Sequence, residues 1–140
     1  MIYKKDNNKK TIGLKGENAV LDKLKTRGYS LYKKNIKYID SEIDMVVYKY
    51  YPEKGLIDIR IIEVKTRNRY EFDLSVFNLK NKYKNMYKYI FVLSNSVKNM
   101  FPGVYYETHL DLVLVKYSKL LGSGESFEIY NYIKDINLML

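Results

Sequence analysis

The run that most constrains this chain is LIDIRIIEVKTR, from Leu56 to Arg67. Its density of Ile and Val suits a strand buried on both faces, which a chain can supply only in a sheet covered by helices. The same run then places Glu63, Lys65 and Arg67 at alternate positions. Residues two apart in an extended strand point to one side, about 6.6 Å along the chain. A carboxylate and two cations therefore share a face of what reads as a core strand. Surface ladder pairing accounts for each residue singly, but not for a polar set on a strand otherwise built of Ile and Val.

The rest of the chain supplies the covering layers. Leu14, Leu21 and Leu24 repeat at helical spacing, with Val20 beside them, and Gly28 follows the cations of a last turn. This predicts a first helix over 11–27. Strands are predicted over 29–39 and 41–51, the second stopped by PEKG at Pro52–Gly55 and turned back as a hairpin onto the 56–66 strand. Leu79, Tyr83, Met86, Ile90, Leu93 and Val97 recur at three- and four-residue steps. That period outweighs the strand propensity of YIFVL, so a long helix is predicted over 76–99. FPGV ends it, THLDLVLVKY (108–117) reads as a fourth strand, and FEIYNYIKDINL (127–138) as a short closing strand or helix. The order describes an α/β domain with a mixed sheet and helices on its faces. At 140 residues the chain is sized for one domain. The polar segment 1–11 is expected to be a flexible basic arm, leaving 12–140 as the domain.

Composition narrows the function classes. There is no cysteine, so disulfides and thiolate metal sites are excluded. The N-terminus lacks a signal-like apolar region and the apolar runs are too short for a bilayer, which gives a cytoplasmic expectation with no membrane partner. The net charge of +9 is uneven: residues 1–37 carry 11 Lys/Arg against Asp6, Glu17 and Asp22, whereas the remainder is nearly balanced. A basic end suits a polyanion such as nucleic acid. Richness in Lys, Asn, Ile and Tyr also fits a general compositional drift, so charge alone does not decide.

The chemistry-bearing residues do more. Glu42 and Asp44 on the second strand share a face by the same period, and a hairpin would bring one of them near Glu63. Converging carboxylates need a cation between them. Lys65 is one; a Mg²⁺ ion, which favours a few carboxylate oxygens and retains waters, would supply more charge. Glu17 falls between Leu14 and Leu21 on the apolar stripe of the first helix, where a carboxylate should be paired or ligated; a place at the stripe's margin is the alternative. The set suits phosphodiester hydrolysis, with metal held by Asp44 and Glu63 and with Lys65 orienting water or stabilising transition-state charge.

Asp44 followed after eighteen residues by Glu63-Val64-Lys65 resembles the PD-(D/E)XK nuclease superfamily. GLKGENAV (13–20), GYSLYKKNIK (28–37), SEIDMVV (41–47), IIEVKTR (61–67), Lys80 and HLDLVLV (109–115) more closely resemble successive motifs of the YraN family, small restriction-endonuclease-like proteins without a settled function. The likeness spans about residues 12–133. It implies a core of helix, three-stranded meander, helix and strand. It also implies Mg²⁺ or Mn²⁺ as cofactor, metal ligands at Asp44 and Glu63, a catalytic Lys65, and a site-forming Glu17. Two departures are Ser41, where the family usually has Gly, and a longer polar turn at Pro52–Gly55.

Arg67 reads as a phosphate contact beside the site, with plain solvation at the strand end as the alternative. Lys80, Lys84 and Lys88 form a stripe opposite the apolar face of the second helix that is either solvated or tracks a nucleic-acid backbone. Tyrosines in KYKNMYKY are more often packing residues than base-stacking ones. His109 reads as structural, and Asp111 matches a family Asp without an assigned role. The leading expectation is a metal-dependent nuclease acting on DNA rather than RNA, with branched or single-stranded substrates in view. The alternatives are a catalytically silent nucleic-acid-binding module and an assembly protein. Superfamily habit allows a homodimer, although no dimer surface is legible in the residues.

Overall fold

The structure, a computed structural model, describes residues 3–38, 41–71, 73–122 and 124–139. Its centre is the Ile/Val-rich strand β3, Leu56–Arg67, buried continuously from Ile57 to Val64. Around it stand α1 (Tyr3–Thr26), β1 (Ser30–Tyr38), β2 (Ser41–Tyr51), α2 (Leu79–Lys98), β4 (Tyr105–Lys119) and β5 (Glu125–Ile133). The strands form one sheet in the order β1-β2-β3-β4-β5. β3 and β4 are parallel, joined by the α2 crossover that parallel neighbours require; the other pairs are antiparallel.

Alternation along the central strands creates two cores. On one face Ile62, Val64, Val113 and Val115 meet Val20, Leu21 and Leu24 of α1. On the other, Ile57, Ile59, Ile61, Leu112 and Leu114 meet Leu79, Tyr83, Met86 and Val97 of α2. Each fully buried aliphatic side chain contributes roughly 1.5–3 kcal/mol, so both helices are held by side-chain burial rather than by propensity. This is the α/β architecture of a restriction-endonuclease-like core, with β5 added at its edge.

Several expectations are revised. α1 begins at Tyr3 rather than at residue 11, so residues 3–10 lie within the helix; Met1 and Ile2 lie outside the described residues. Leu14 is 40% exposed, because it sits at the margin of the stripe formed by Val20, Leu21 and Leu24. The long helix does not start at Val76: Leu74–Phe77 is a 3-10 turn, and Asn78 at φ 50° breaks the backbone before α2. The Asp73 carboxylate accepts from Ser75 N there and fixes the separate turn. The closing segment is both a strand and a turn, β5 being followed by a 3-10 turn at Ile136–Met139.

Candidate active site

The ladder between β2 and β3 stops at Met45↔Ile62. Beyond that pair β2 stays with β1 while β3 stays with β4, and the sheet forks. Asp44 and Glu63 are the first residues past the fork. The break leaves the Val64 N–H without a ladder partner on β2, and it donates to Asp44 Oδ2 at 2.7 Å. Strand alternation is also interrupted here: Ile43 and Val46 face the α2 core, whereas Met45 and Val47 face α1. Asn35, with φ 51°, falls within β1 between the Lys34↔Met45 and Ile36↔Ile43 pairs. The two-residue period therefore does not carry through Asp44, and Glu42 is drawn elsewhere. Turned with its nitrogen inward, the Asn35 amide donates to Glu42 Oε1 at 3.0 Å and Glu17 Oε1 at 3.2 Å.

A cavity of about 430 Å³ opens at the fork, lined by Glu17, Asp44, Glu63, Lys65 and Arg67, with Lys9 from α1 at its rim. α1 approaches because Gly16 is small: a Cβ there would meet Thr66 Oγ1 at 2.0 Å. That approach puts half-buried Glu17 over the cavity.

The electrostatics are those of crowded carboxylates. Asp44 is pushed up to about 7 by burial and by Glu63, with the Val64 N–H opposing. Glu17 is also raised, first by burial, with Glu42 and Glu63 adding and Lys34 opposing. Glu63 is buried and holds two cations: Lys65 Nζ lies 3.1 Å from Oε1, and Lys82 of α2 bonds Oε2. Lys65 and Arg67 both lie over the Phe77 ring, at 5.8 and 5.4 Å from its centroid. The expected shared face of Glu63, Lys65 and Arg67 is thus present.

Lys80 and Lys84 are exposed on α2 and do not line the cavity. Lys82, which sequence reasoning passed over, is the α2 cation that reaches the site. Its signal was its place on the inward stripe, three residues after Leu79 and beside Tyr83.

Asp111 and His109 belong to a second cluster. Fully buried Asp111 accepts from Arg60 Nη1 at 2.8 Å, Tyr132 OH at 2.6 Å and Asp135 N at 3.0 Å. Arg60 Nε also donates to Tyr29 OH at 3.0 Å and to Asp58 Oδ2 at 3.2 Å. Burial alone would push Arg60 down, but its bonds to Asp111 and Tyr29 outweigh this and hold it above the usual guanidinium range. Burial and the Asp58 bond push Tyr29 up to about 12. His109 Nδ1 lies 2.7 Å from Asp135 Oδ1, a structural place as expected.

Among the described residues, no group of three His, Cys, Asp or Glu side chains is spaced to hold one metal ion as it stands. Asp44 and Glu63 offer a pair of carboxylates whose mutual repulsion a cation would relieve, and a pair suits an ion that keeps most of its waters. The donor chemistry fits Mg²⁺ or Mn²⁺. No helix among the described residues is long and apolar enough to cross a membrane.

Fork, crossover and flanking helices define a restriction-endonuclease-like α/β protein. Residues 16–115 match the model of uncharacterised protein family UPF0102, and the chain belongs to that family, the YraN family its motifs resemble. No curated protein matches the chain.

Proposed function

We propose that this chain is a metal-dependent nuclease that hydrolyses phosphodiester bonds in DNA. The observation that carries the reading is the fork itself. Asp44, held near neutrality's edge by burial and Glu63, faces a cavity shared with Glu17 and a lysine bonded to Glu63. Carboxylates crowded in this way are costly for a fold and useful for holding a cation.

Asp44 and Glu63 would hold Mg²⁺ or Mn²⁺, which when bound supplies Lewis acidity toward a phosphate oxygen and lowers the pKa of water. Lys65 places its ammonium at the cavity wall, where it stabilises negative charge developing on phosphorus-bound oxygen. Arg67 and Lys9 offer cationic contacts for the flanking backbone. Glu17 closes the α1 side and orients water through the oxygen that Asn35 does not bond. Lys82 neutralises Glu63 from the α2 side.

The double pairing of Glu63 by Lys65 and Lys82 supports a second reading, a nucleic-acid-binding module whose carboxylate is satisfied without metal. Cleavage of labelled duplex, single-stranded, flap and four-way-junction DNA, and of RNA, with Mn²⁺, Mg²⁺ or EDTA separates the two. Metal-dependent cutting that is lost in Glu63→Ala and Lys65→Ala is expected. Binding that persists in all three proteins with no cutting under either metal would replace the nuclease with the silent module.

A further inference from the structure

α2 has a face that neither core uses. Its inward stripe is completed by Leu79, Tyr83, Met86 and Val97. On the flank toward β4, however, Tyr87 is 75% exposed and Phe91 62% exposed. Helical spacing interleaves these rings with exposed Lys84 and Lys88. Across from them stands Tyr106 at the start of β4, with Lys98 Nζ 5.5 Å from its ring centroid. Between the walls lies a cleft of about 460 Å³ whose floor is Ser94 and Thr108. Ser94 Oγ donates to Ile90 O at 2.7 Å, so its 2.7 Å contact with Thr108 Oγ1 is donated by Thr108. That leaves Thr108 an acceptor at the floor of an aromatic slot.

Aromatic faces, cations between them and a polar floor match what unpaired bases on a phosphate backbone require. An apolar protein segment would not call for the lysines. A second copy of this chain, seated face to face, would set Lys84, Lys88 and Lys98 against their own counterparts in a protein of net charge +9. We propose that the cleft between α2 and the first residues of β4 docks single-stranded nucleic acid, with bases stacked on Tyr87 and Phe91 and phosphates held by Lys84 and Lys88. The proposal rests on the reading of the chain as a nucleic-acid-binding protein, and does not depend on cleavage at the fork. From Lys82, bonded to Glu63, to Phe91 is about 13 Å of helix axis at 1.5 Å per residue. The platform therefore lies within a few nucleotides of the candidate active site, and names an unpaired strand as the substrate class.

Binding is measured by fluorescence anisotropy in EDTA, with a labelled oligothymidylate and a labelled duplex of equal length. Tyr87→Ala and Phe91→Ala are expected to weaken single-strand binding roughly 5- to 150-fold per lost stack, while duplex binding changes less than about twofold. Tyr87→Phe should restore it, and Lys88→Gln should lower the salt slope by about 0.7. Both rings are exposed, so the alanine variants should melt like the parent. Unchanged single-strand binding in the alanine variants would overturn the cleft assignment and leave the nuclease reading intact. Failure of the parent to bind any nucleic acid would overturn both. If light scattering shows a dimer that Phe91→Ala dissociates, with strand binding unchanged, the face is a self-association surface and the proposal falls.

Discussion

Asp58 and Arg60 near the start of β3, and Glu63 and Lys65 near its end, are two acid–base pairs on one strand, but they sit in opposite circumstances. The first pair is tied into a network, with Asp58 Oδ1 as the one oxygen that takes no hydrogen bond, 3.4 Å from His109 Nε2. Arg60 spends its donors on Asp111, Tyr29 and Asp58, and Asp111 accepts from Arg60, Tyr132 and the Asp135 backbone. The second pair is open. Glu63 has a cation on each oxygen, but Asp44 and Glu17 crowd it across a cavity, and both are raised by burial. Buried charge held by fixed hydrogen-bond partners specifies packing, whereas carboxylates crowded against one another across an open cavity mark a place for a ligand. The difference follows from topology: β2 still pairs with β3 at Asp58 and has left it at Glu63.

The largest effect should separate the clusters by what is lost. Asp44→Asn is expected to reduce metal-dependent cleavage by roughly 10³-fold while the fold persists. Asp111→Ala should instead take away the Arg60 Nη1 partner and the acceptors of Tyr132 and Asp135, leaving Asp58 as the remaining acid on Arg60, and cost about 3–5 kcal/mol of stability. Urea unfolding by circular dichroism measures the second effect. Asp111→Asn, whose one carbonyl oxygen keeps the Arg60 and Tyr132 bonds in the Oδ2 place and gives up the Asp135 N–H bond made to Oδ1, is the milder companion, and its folded fraction should keep the parental cleavage rate. Loss of cleavage in folded Asp111→Asn would erase the distinction between the clusters.

The pH dependence sharpens the comparison. Asp44 titrates at about 7 in the folded chain, above an ordinary carboxyl, so ionisation favours unfolding. In EDTA its contribution is fully present below about pH 4 and is lost as pH rises through 7. A shift of this size corresponds to roughly 4 kcal/mol as an upper bound, and access to cavity water should reduce it to about 1–3 kcal/mol. Asp44→Asn should therefore be more stable than the parent at pH 8 and nearly equal to it at pH 4. Parallel stability curves for the two proteins from pH 4 to 8 would show that the fork is not strained.

Much of this was legible in the sequence, for identifiable reasons. β2 and its turn at Pro52–Gly55 fall where Pro, Gly and the β-branched runs place them. Asp44, Glu63 and Lys65 stand out because charge on an otherwise apolar strand has no ordinary explanation. The fork was not legible, since the end of a ladder leaves no mark in a single strand's pattern. Nor was the break in alternation at Asp44, which separates Glu42 from its expected neighbour. Asp111 had no role until its partners arrived from β3 and β5, distant in sequence. The start of α2 was misplaced because Asn78 takes a left-handed conformation inside a segment whose apolar period runs on.

Lys82 offers a smaller test of the open cluster. Its ammonium occupies Glu63 Oε2, where a metal would compete with it. Lys82→Gln should cost about 1–2 kcal/mol in EDTA, because a buried carboxylate loses a partner. The same change should tighten Mn²⁺ binding several-fold by titration calorimetry, since one repelling cation is gone. Weaker Mn²⁺ binding in Lys82→Gln would mean that Lys82 holds Glu63 in place for the metal rather than competing with it.

The smallest expected effects belong to Lys80 and Lys84, and they matter because regular spacing made these the conspicuous cations of α2. Both are exposed, and neither lines the fork cavity, whereas Lys82 between them is turned inward onto Glu63. A helix turns about 100° per residue, so two positions along the chain reverse a side chain's direction. Lys80→Gln and Lys84→Gln should each alter stability by less than about 0.5 kcal/mol. Neither should change metal affinity. Lys84→Gln should still lower the salt slope of single-strand binding by about 0.7, because its place is beside the aromatic cleft, and Lys80→Gln should do so less. If Lys80→Gln alone abolished cleavage with metal binding intact, the outer face of α2 would belong to the catalytic site, and the division between an inward cation at the fork and outward cations along a strand path would have to be redrawn.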